Sequence, residues 1–329
     1  MFSLRSSHTL KIVHLTFALI FLYCVYPENV KCFESNRIAI ITSATSHEVS
    51  LACEGFVSLI RVKAQYLETE KWLFETKKED EGTFWEDVAK SKPVIIVTIG
   101  TPATKSALKH IKNIPIIYTM TLGDTTDFCL GLPNCQMPVG GISISIPIER
   151  QLEILLEALP MIRRLGIIYS HSQENIFKKA SEFSKKVKIN LFGSEVKNYK
   201  DIPSALKNIL PLIEGLIVPP DPNIYQADAL QFILQECFQK GVPFMAFSEQ
   251  LAISGAPLAI GLDYEDIGRQ TAELVIQILS DQNQIQTRIQ SPRSIMVYIN
   301  EGVSSKLGLY FSRRTLDKAI IVGKGNLNK

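Results

Sequence analysis

Short apolar runs that end in clusters of polar residues recur along this chain, and helical spacing of apolar residues follows most of them. The first unit leads from residues 37–41 through a polar turn into a segment whose Val49, Cys53 and Phe56 share one helical face. Continuous β-branched runs such as residues 93–100 predict strands that are buried on both faces. Strands are predicted at residues 37–41, 65–68, 93–100, 113–119, 139–144, 165–169, 189–196, 215–218 and 242–247, and helices at residues 101–108, 148–159, 174–187, 202–210, 225–240 and 267–279.

Strands that alternate with helices at this spacing predict an α/β fold with parallel sheets and right-handed crossovers. Two sets of about five such units predict two similar, Rossmann-like lobes. Ligands of open α/β sheets bind where strands end, and in the stretch 161–175 an apolar run is followed directly by the polar cluster 170–175. The charged residues 75–82 are typical of a solvated loop, and the basic residues 313–329 predict a flexible tail.

The composition is that of a packed globular protein. The chain has 329 residues, of which 46% are hydrophobic and 21% charged, and this length accommodates two domains. With 35 basic and 33 acidic residues, the net charge of +2 gives no electrostatic basis for binding nucleic acid or an anionic membrane.

The amino terminus has the pattern of a signal peptide. Basic side chains precede the apolar run 12–26, which breaks at Pro27 and is short for a membrane span. Cleavage after Cys32 would make residues 1–32 a signal peptide and the mature protein exported and periplasmic. An uncleaved anchor is the alternative, whereas lipidation of Cys24 is disfavoured because the bulky Tyr23 precedes it.

Four cysteines remain after residue 32, in a compartment that favours disulfides. Cys129 and Cys135 flank a turn-rich segment and either close a small disulfide or stay unpaired, since spacing alone does not fix the geometry. Cys53 and Cys237 fall on predicted helices and are expected to be core residues.

Catalytic and metal-binding patterns are missing from the sequence. It contains no G-x-S-x-G, H-E-x-x-H, P-loop or dinucleotide-binding motif, and no C-x-x-C or H-x-x-x-H spacing. We therefore expect no enzyme, cofactor or metal site. His47 and His171 each follow the first strand of a predicted lobe, where they are either ligand contacts or solvated loop residues. The recurring polar turns suit binding without turnover, because unpaired N–H groups at helix starts can hold a carboxylate or another polar group.

Several stretches together resemble the periplasmic substrate-binding proteins of ABC transporters, in a group of which some members bind aromatic amino acids. The matching stretches are PVIIVTIGTPATKSAL, NIPIIYTMTLGD, LLEALPMIRRLGIIYSHSQEN, GLIVPPD, GVPFMAFSEQLAISGAPLAIGLDYEDIGRQTAELVIQIL and IMVYINEGVSSKLGL. They cover nearly all of residues 37–309. The resemblance implies the type I periplasmic-binding-protein architecture, with three interlobe crossovers near residues 146 and 262 and after the helix 267–279.

The same resemblance implies the lobe boundaries and the ligand-binding residues. Residues 36–145 plus 263–285 would form lobe 1 and residues 146–262 plus 286–312 lobe 2, with the ligand in the cleft between them. The implied ligand-binding residues are Ser43, Thr45, Ser46, Gly100, Thr101, Thr119, Thr121, Asp124, Tyr169, Ser170, Glu174, Asn175, Asp221 and Ser248.

Residue types at these positions suit a small polar ligand. Tyr169 could supply an apolar face with a polar edge, the hydroxyls of Thr101 and Thr121 hydrogen bonds, and a carboxylate of Asp124, Glu174 or Asp221 an anchor for an ammonium group. The chain departs from the family where Tyr-Asn-Pro is common, since it has Tyr169, Ser170 and His171, and where Asp-Pro is common, since it has Asp124 and Thr125. The ligand of better-known members is therefore not carried over.

The leading hypothesis is a monomeric exported solute-binding protein that closes on a small polar ligand, for which an amino acid is one candidate, and presents it to an ABC permease in the inner membrane. The alternative is a periplasmic sensor subunit that signals to a membrane receptor without transport. A hydrolase on the same scaffold would need a nucleophile that the sequence does not supply.

Overall fold

The computed structural model describes residues 35–75, 80–121, 140–221, 223–280 and 288–323, and the described residues from Arg37 onward form one compact unit. The described strands of this unit form two sheets. The first sheet has the order β11-β5-β4-β3-β1-β2, and every pair in it is parallel. Its strands are β1 Arg37–Thr42, β2 Glu68–Leu73, β3 Ile95–Ile99, β4 Ile116–Thr121, β5 Gly140–Ser143 and β11 Arg288–Gln290.

The second sheet has the order β13-β12-β10-β9-β8-β6-β7. Its pairs are parallel except that β10 and β12 run antiparallel, so both sheets are mainly parallel, as predicted. Its strands are β6 Arg164–Ser170, β7 Asn190–Val196, β8 Gly215–Ile217, β9 Phe244–Ala246, β10 Leu258–Leu262, β12 Ile295–Asn300 and β13 Ile320–Val322.

Helices cover both faces of each sheet. Around the first sheet lie α1 His47–Lys63, α2 Glu81–Lys90, α3 Thr101–His110 and α9 Tyr264–Ser280, and around the second α4 Ile148–Ala158, α5 Glu174–Lys186, α6 Ile202–Ile209, α7 Ala227–Gln239, α8 Glu249–Ile253, α10 Glu301–Lys306 and α11 Arg313–Leu316. Alternate side chains of each central strand enter opposite cores, as Ile40 packs with α1 and Ile41 with α2. We call each sheet with its helices a lobe.

The chain changes lobes three times within the described residues, as the resemblance implied. It crosses between β5 and α4, between β10 and α9, and between β11 and β12. The third crossing comes later than residue 286, because β11 still pairs with β5 of the first lobe. Residues 288–290 therefore belong to the first sheet, a correction to the predicted lobe 2 segment 286–312.

The predicted flexible tail is wrong for residues 313–323. Ser312 caps α11 by accepting from Thr315 N, and β13 adds a parallel edge strand to β12. Lys318 also donates to Glu157 Oε1 at 2.6 Å, which ties this segment to α4.

Two further local predictions are corrected. β2 occupies residues 68–73, later than predicted, and α2 begins at Glu81 within the segment that was assigned to a loop. Trp85 explains why this charged helix forms, because its ring is 2% exposed and its indole N–H donates to Ser106 Oγ at 2.8 Å. Cys53 and Cys237 are buried free thiols, as expected, and Cys129 and Cys135 lie outside the described residues.

Candidate ligand-binding site

The crossovers join the two sheets at the edges where their parallel strands end. β10 ends at Leu262, which pairs with Ile295 at the start of the antiparallel β12. β11 ends at Gln290, and its partner β5 ends at Ser143, where the first crossover leaves. The carboxyl-terminal edges of both sheets therefore border the same interlobe space, and the polar turns that follow the strands lie around it.

Three of the predicted residues meet at the first-lobe edge. Gly100 N donates to Thr119 O at 2.9 Å, and Ser43 N and Oγ both lie 3.4 Å from Ile99 O. Gly100 has φ 97°, and a Cβ at this position would lie 2.7 Å from Ser43 Oγ. Only glycine adopts this backbone without strain, so the close approach of the turns after β1 and β3 depends on it.

The helices that follow these turns begin without a side-chain cap. Ser46 precedes α1 and Gly100 precedes α3, and neither helix start receives a side-chain hydrogen bond at the N-cap. Thr101 is the first residue of α3, and Pro102 follows it in the first turn. The Ser46 hydroxyl bonds to Glu48, which lowers the pKa of that carboxyl, and Thr45 is exposed. Because the first N–H groups of a helix have no partner within the helix, both helix starts carry a partial positive charge at this edge.

Thr119 and Thr121 are buried at the end of β4, where they are 1% and 0% exposed. Within the described part of the chain, neither hydroxyl oxygen has a hydrogen-bond partner. Between them the register with β5 shifts, and Met120 adopts φ 54°, which a non-glycine residue rarely does. Asp124 lies outside the described residues.

At the second-lobe edge, a buried carboxylate holds the turn after β6. Asp221 is 2% exposed, and its Oδ2 accepts from Ser170 Oγ at 2.6 Å and from Ser170 N at 3.3 Å. Its Oδ1 accepts from Asn223 N at 2.9 Å, and Ser172 Oγ lies 2.8 Å from Ser170 Oγ. Both oxygens of Asp221 are thus engaged within the protein, and the contacts join the turn after β6 to the turn after β8.

Tyr169 packs into the second lobe. Its ring stacks on Phe177 of α5 with the centroids 4.7 Å apart, and the residue is 8% exposed. Burial raises the pKa of Tyr169, and the carboxylates of Glu195 and Glu174 raise it further. Glu174 pairs with Lys178 at 2.8 Å, and this contact lowers the pKa of Glu174, while Asn175 is exposed.

Ser248 caps α8, since its Oγ accepts from Leu251 N at 3.3 Å. The carboxylate of the next residue, Glu249, lies close to the Tyr298 hydroxyl of β12. Burial foremost, with the nearby charge of Glu249, raises the pKa of Tyr298 to about 12. The sequence prediction missed Glu249 and Tyr298, although Glu249 directly follows a predicted polar turn.

The structure brings together Ser43, Gly100 and Thr119 in one lobe and Ser170 with Asp221 in the other, whereas Ser248 bonds within its own turn. His171 Nδ1 lies 3.0 Å from Glu195 Oε1 on the surface, and His47 begins α1. The described residues contain no group of three His, Cys, Asp or Glu side chains that could hold a metal ion. Nor does any helix among them have the length and apolar character to cross a membrane.

A groove of about 500 Å³ lies elsewhere, between α4 and α5. Its lining includes the apolar Leu156, Phe183 and Ile189. It also includes Arg163, which directly precedes β6, so the groove is near the amino-terminal ends of the strands and separate from the candidate site.

Comparison with known sequences identifies a protein family to which the chain is similar over most of its length. The sequence model of the family described as ABC transporter substrate binding protein matches residues 54–322. A tyrosine-binding protein of Clostridioides difficile (strain R20291) is 25% identical over 224 residues, which is 66% of this chain and 64% of the relative. An uncharacterized protein of Rickettsia prowazekii (strain Madrid E) is 26% identical over 187 residues, 56% of this chain and 57% of the relative. The match thus spans less than two thirds of either relative.

Solved structures share the fold. The ligand-free, open structure of a substrate-binding protein with adhesive properties from Clostridium difficile superposes with a TM-score of 0.73 at 18% identity, covering 87% of this chain and 99% of that one. An ABC domain from Streptococcus pneumonia in complex with L-Trp gives a TM-score of 0.58 at 17% identity, covering 88% and 99%. The predicted type I periplasmic-binding-protein architecture is confirmed.

Proposed function

Because this chain belongs to the ABC transporter substrate-binding protein family, we propose that it captures a small polar ligand, an amino acid, between its two lobes and presents it to an ABC permease. The family and the fold are those of substrate-binding proteins and not of enzymes. One observation carries the proposal. Two sheets turn their carboxyl-terminal edges toward the same space, and polar turns line both edges.

The chemistry of the two edges suits an α-amino acid. The uncapped starts of α1 and α3, with the hydroxyl of Ser43, offer donors for a carboxylate. The second lobe offers the exposed carboxylate of Glu249, which could pair with an ammonium group. Asp221 supports the site by holding the Ser170 turn, since its own oxygens are already engaged. Hinge closure would bury the ligand between both edges.

Aromatic amino acids are the first candidates, because one relative is named a tyrosine-binding protein and one solved structure holds L-Trp. Thermal unfolding with L-tyrosine, L-tryptophan and a panel of other amino acids, nucleosides and sugars tests the proposal. A ligand at 100 times its Kd stabilises the folded protein by about 2.7 kcal/mol, which raises Tm by several degrees. Tyramine, which lacks the carboxylate, should give no shift if L-tyrosine binds as proposed. A panel without any shift would contradict the proposed function.

Two glycine variants locate the site. Gly100→Ala places a methyl group 2.7 Å from Ser43 Oγ and should weaken the ligand-dependent shift. Gly241→Ala is the matched control, because Gly241 also has a positive φ, 68°, but a Cβ added there would have no atom within 4 Å. Both variants should lower Tm through backbone strain, whereas only Gly100→Ala should reduce the response to ligand. Equal responses would place the ligand elsewhere.

Export to the periplasm, a monomeric state and delivery to an inner-membrane permease form the rest of the proposal. Uptake of the labelled ligand by cells that lack the protein tests the delivery step, with the wild-type gene restored as the control. Loss of uptake supports transport. Unchanged uptake, together with binding in vitro, would favour the sensor alternative.

A further inference from the structure

The hydrogen bonds around each crossover show which lobe each of its residues belongs to. In the first crossover, Ile144 N donates to Thr121 O at 3.0 Å and Ser145 N to Ser143 Oγ at 3.1 Å, so both residues are held by the first lobe. The next residue, Ile146, is held by the second lobe, because its carbonyl accepts from the buried Gln151 of α4 at 2.8 Å. The change of lobe therefore falls on the link 145–146.

The second crossover changes lobes at one link as well. Leu262 pairs with Ile295 and is part of the second sheet. Asp263 already belongs to the start of α9, since its carbonyl accepts from Ile267 N at 2.9 Å and its Oδ1 from Asp266 N at 2.9 Å. The link 262–263 is therefore the junction.

The helix α9 is fixed to the first lobe by close backbone contact with α1. A Cβ on Gly268 would lie 2.0 Å from Ala52 O, and a Cβ on Gly55 would lie 2.0 Å from Glu265 O. Such an approach leaves no room for the two helices to slide past each other. Groups that bind to the first turns of α9 are thus held by the first lobe.

The third crossover binds to α9 through several side chains. Gln270 Nε2 donates to Gln290 Oε1 at 2.9 Å and to Ser291 O at 3.0 Å. Asp266, whose side chain is 10% exposed, accepts two bonds from Arg293, at 2.7 and 2.9 Å, and one from Ser294 Oγ at 2.6 Å. Ile295 then enters β12, so the junction is the link 294–295.

These contacts place two junctions side by side. Leu262 and Ile295 are register partners, and one carboxylate, that of Asp266, holds the residues just before Ile295 while its backbone N–H is bound by Asp263. If the lobes close as proposed, the links 145–146, 262–263 and 294–295 are the points where the chain passes between them. We propose that Asp266 is the positioning residue that keeps the second and third links together on the first lobe. This inference rests on the proposed function only in assuming that the lobes move.

The matched pair Asp266→Asn and Glu214→Gln tests it without any ligand. Glu214 is also a carboxylate bound by arginine, Arg164 Nη2 at 3.0 Å, but both partners lie within the second lobe. Spin labels are introduced as unnatural amino acids at the exposed residues Glu86 of α2 and Gln231 of α7, one in each lobe. Pulsed electron paramagnetic resonance then measures the distribution of distances between the two labels, which is the interlobe distance distribution.

Asp266→Asn should broaden the distribution or shift its mean, because the third crossover loses its charged anchor, while Glu214→Gln should leave it as in the wild type. Asp266→Asn and wild-type distributions that coincide would overturn the inference. A label pair within the first lobe, at Glu86 and Lys105, reports whether the lobe stays folded. If that distance changes, the interlobe measurement is repeated with Arg293→Lys, which keeps the charge but loses the two-pronged contact. An interlobe distribution of Arg293→Lys that coincides with the wild-type distribution would then overturn the inference. Because no ligand is used, a negative ligand panel would count against the proposed function and not against this hinge.

Discussion

Replacing Gly268 by alanine should force α1 and α9 apart. The added methyl carbon would lie 2.0 Å from Ala52 O and 2.8 Å from Phe56 N, whereas ordinary contact begins near 3.4 Å. The obstructing atoms belong to the backbone of a packed helix, so no side-chain rotation relieves the overlap. The helices must separate by about 1 Å or more, which loosens the core around Phe56, Ile267 and Leu274.

Overpacking of this kind lowers the free energy of unfolding by about 1–3 kcal/mol. We expect a value near the upper end, because the clashing atoms belong to the helix backbone and cannot move aside. The intrinsic gain from alanine in a helix, about 1 kcal/mol, offsets part of it, so we expect a net loss of about 2 kcal/mol in the free energy of unfolding. Gly82→Ala in α2 is the control, because its nearest neighbour would be Asp80 Oδ1 at 3.4 Å. It should be neutral or stabilising by up to about 1 kcal/mol. Urea unfolding of both variants measures the difference, and a Gly268→Ala protein as stable as Gly82→Ala would refute the reasoning.

Three further outcomes are expected. Ser170→Ala should lower the free energy of unfolding in urea by about 1.5–3 kcal/mol, because it removes the 2.6 Å hydrogen bond to the buried Asp221. A loss no greater than that of Ser172→Ala would contradict this. Hydrogen bonds from Arg293 hold the pKa of Asp266 at about 2, below its usual 3.8. About 1–2 kcal/mol of the free energy of unfolding that is present above pH 4 should therefore disappear as the pH falls toward 2. In urea unfolding as a function of pH, Asp266→Asn should flatten this part of the profile. Burial raises the pKa of Cys237 to about 12, so iodoacetamide should modify Cys237 only after unfolding, as peptide mass spectrometry would show, and rapid labelling of the folded protein would be the contrary result.

The central strands could be predicted from the sequence because burial on both faces leaves a continuous apolar run. β3, for example, is buried at all five positions. The edge strands β2 and β13 gave a weaker signal. β2 has the sequence ETEKWL, in which no position is buried, and β13 is apolar but has only three residues. Neither pattern is long or regular enough to distinguish a strand from a loop.

The helix α2 was missed for a different reason. Its charged residues resemble a solvated loop, and the side chains that hold it in place, Trp85 against Ser106 and the Asp80 cap on Thr83 N, are too few to form a helical stripe. Tertiary packing decides this segment, and the local sequence does not.

The candidate site could also be predicted only in part from the sequence. Polar turns after buried strands could be located because the strand ends could be predicted. The bond between Ser170 and Asp221 joins residues 51 positions apart, and it depends on β8 lying next to β6 in the sheet. Spacing along the chain does not reveal that order. For this reason the sequence offered Asp221 as one of three candidate anchors for an ammonium group, whereas its oxygens hold a neighbouring turn.

Mass spectrometry of the small molecules released when the purified protein is denatured tests the central claim most directly. Our account predicts one amino acid in about equal amount to the protein, and the same compound should bind again to the refolded protein at one site by titration calorimetry. Release of no compound, together with no heat of binding for any amino acid, nucleoside or sugar in the panel, would contradict the account.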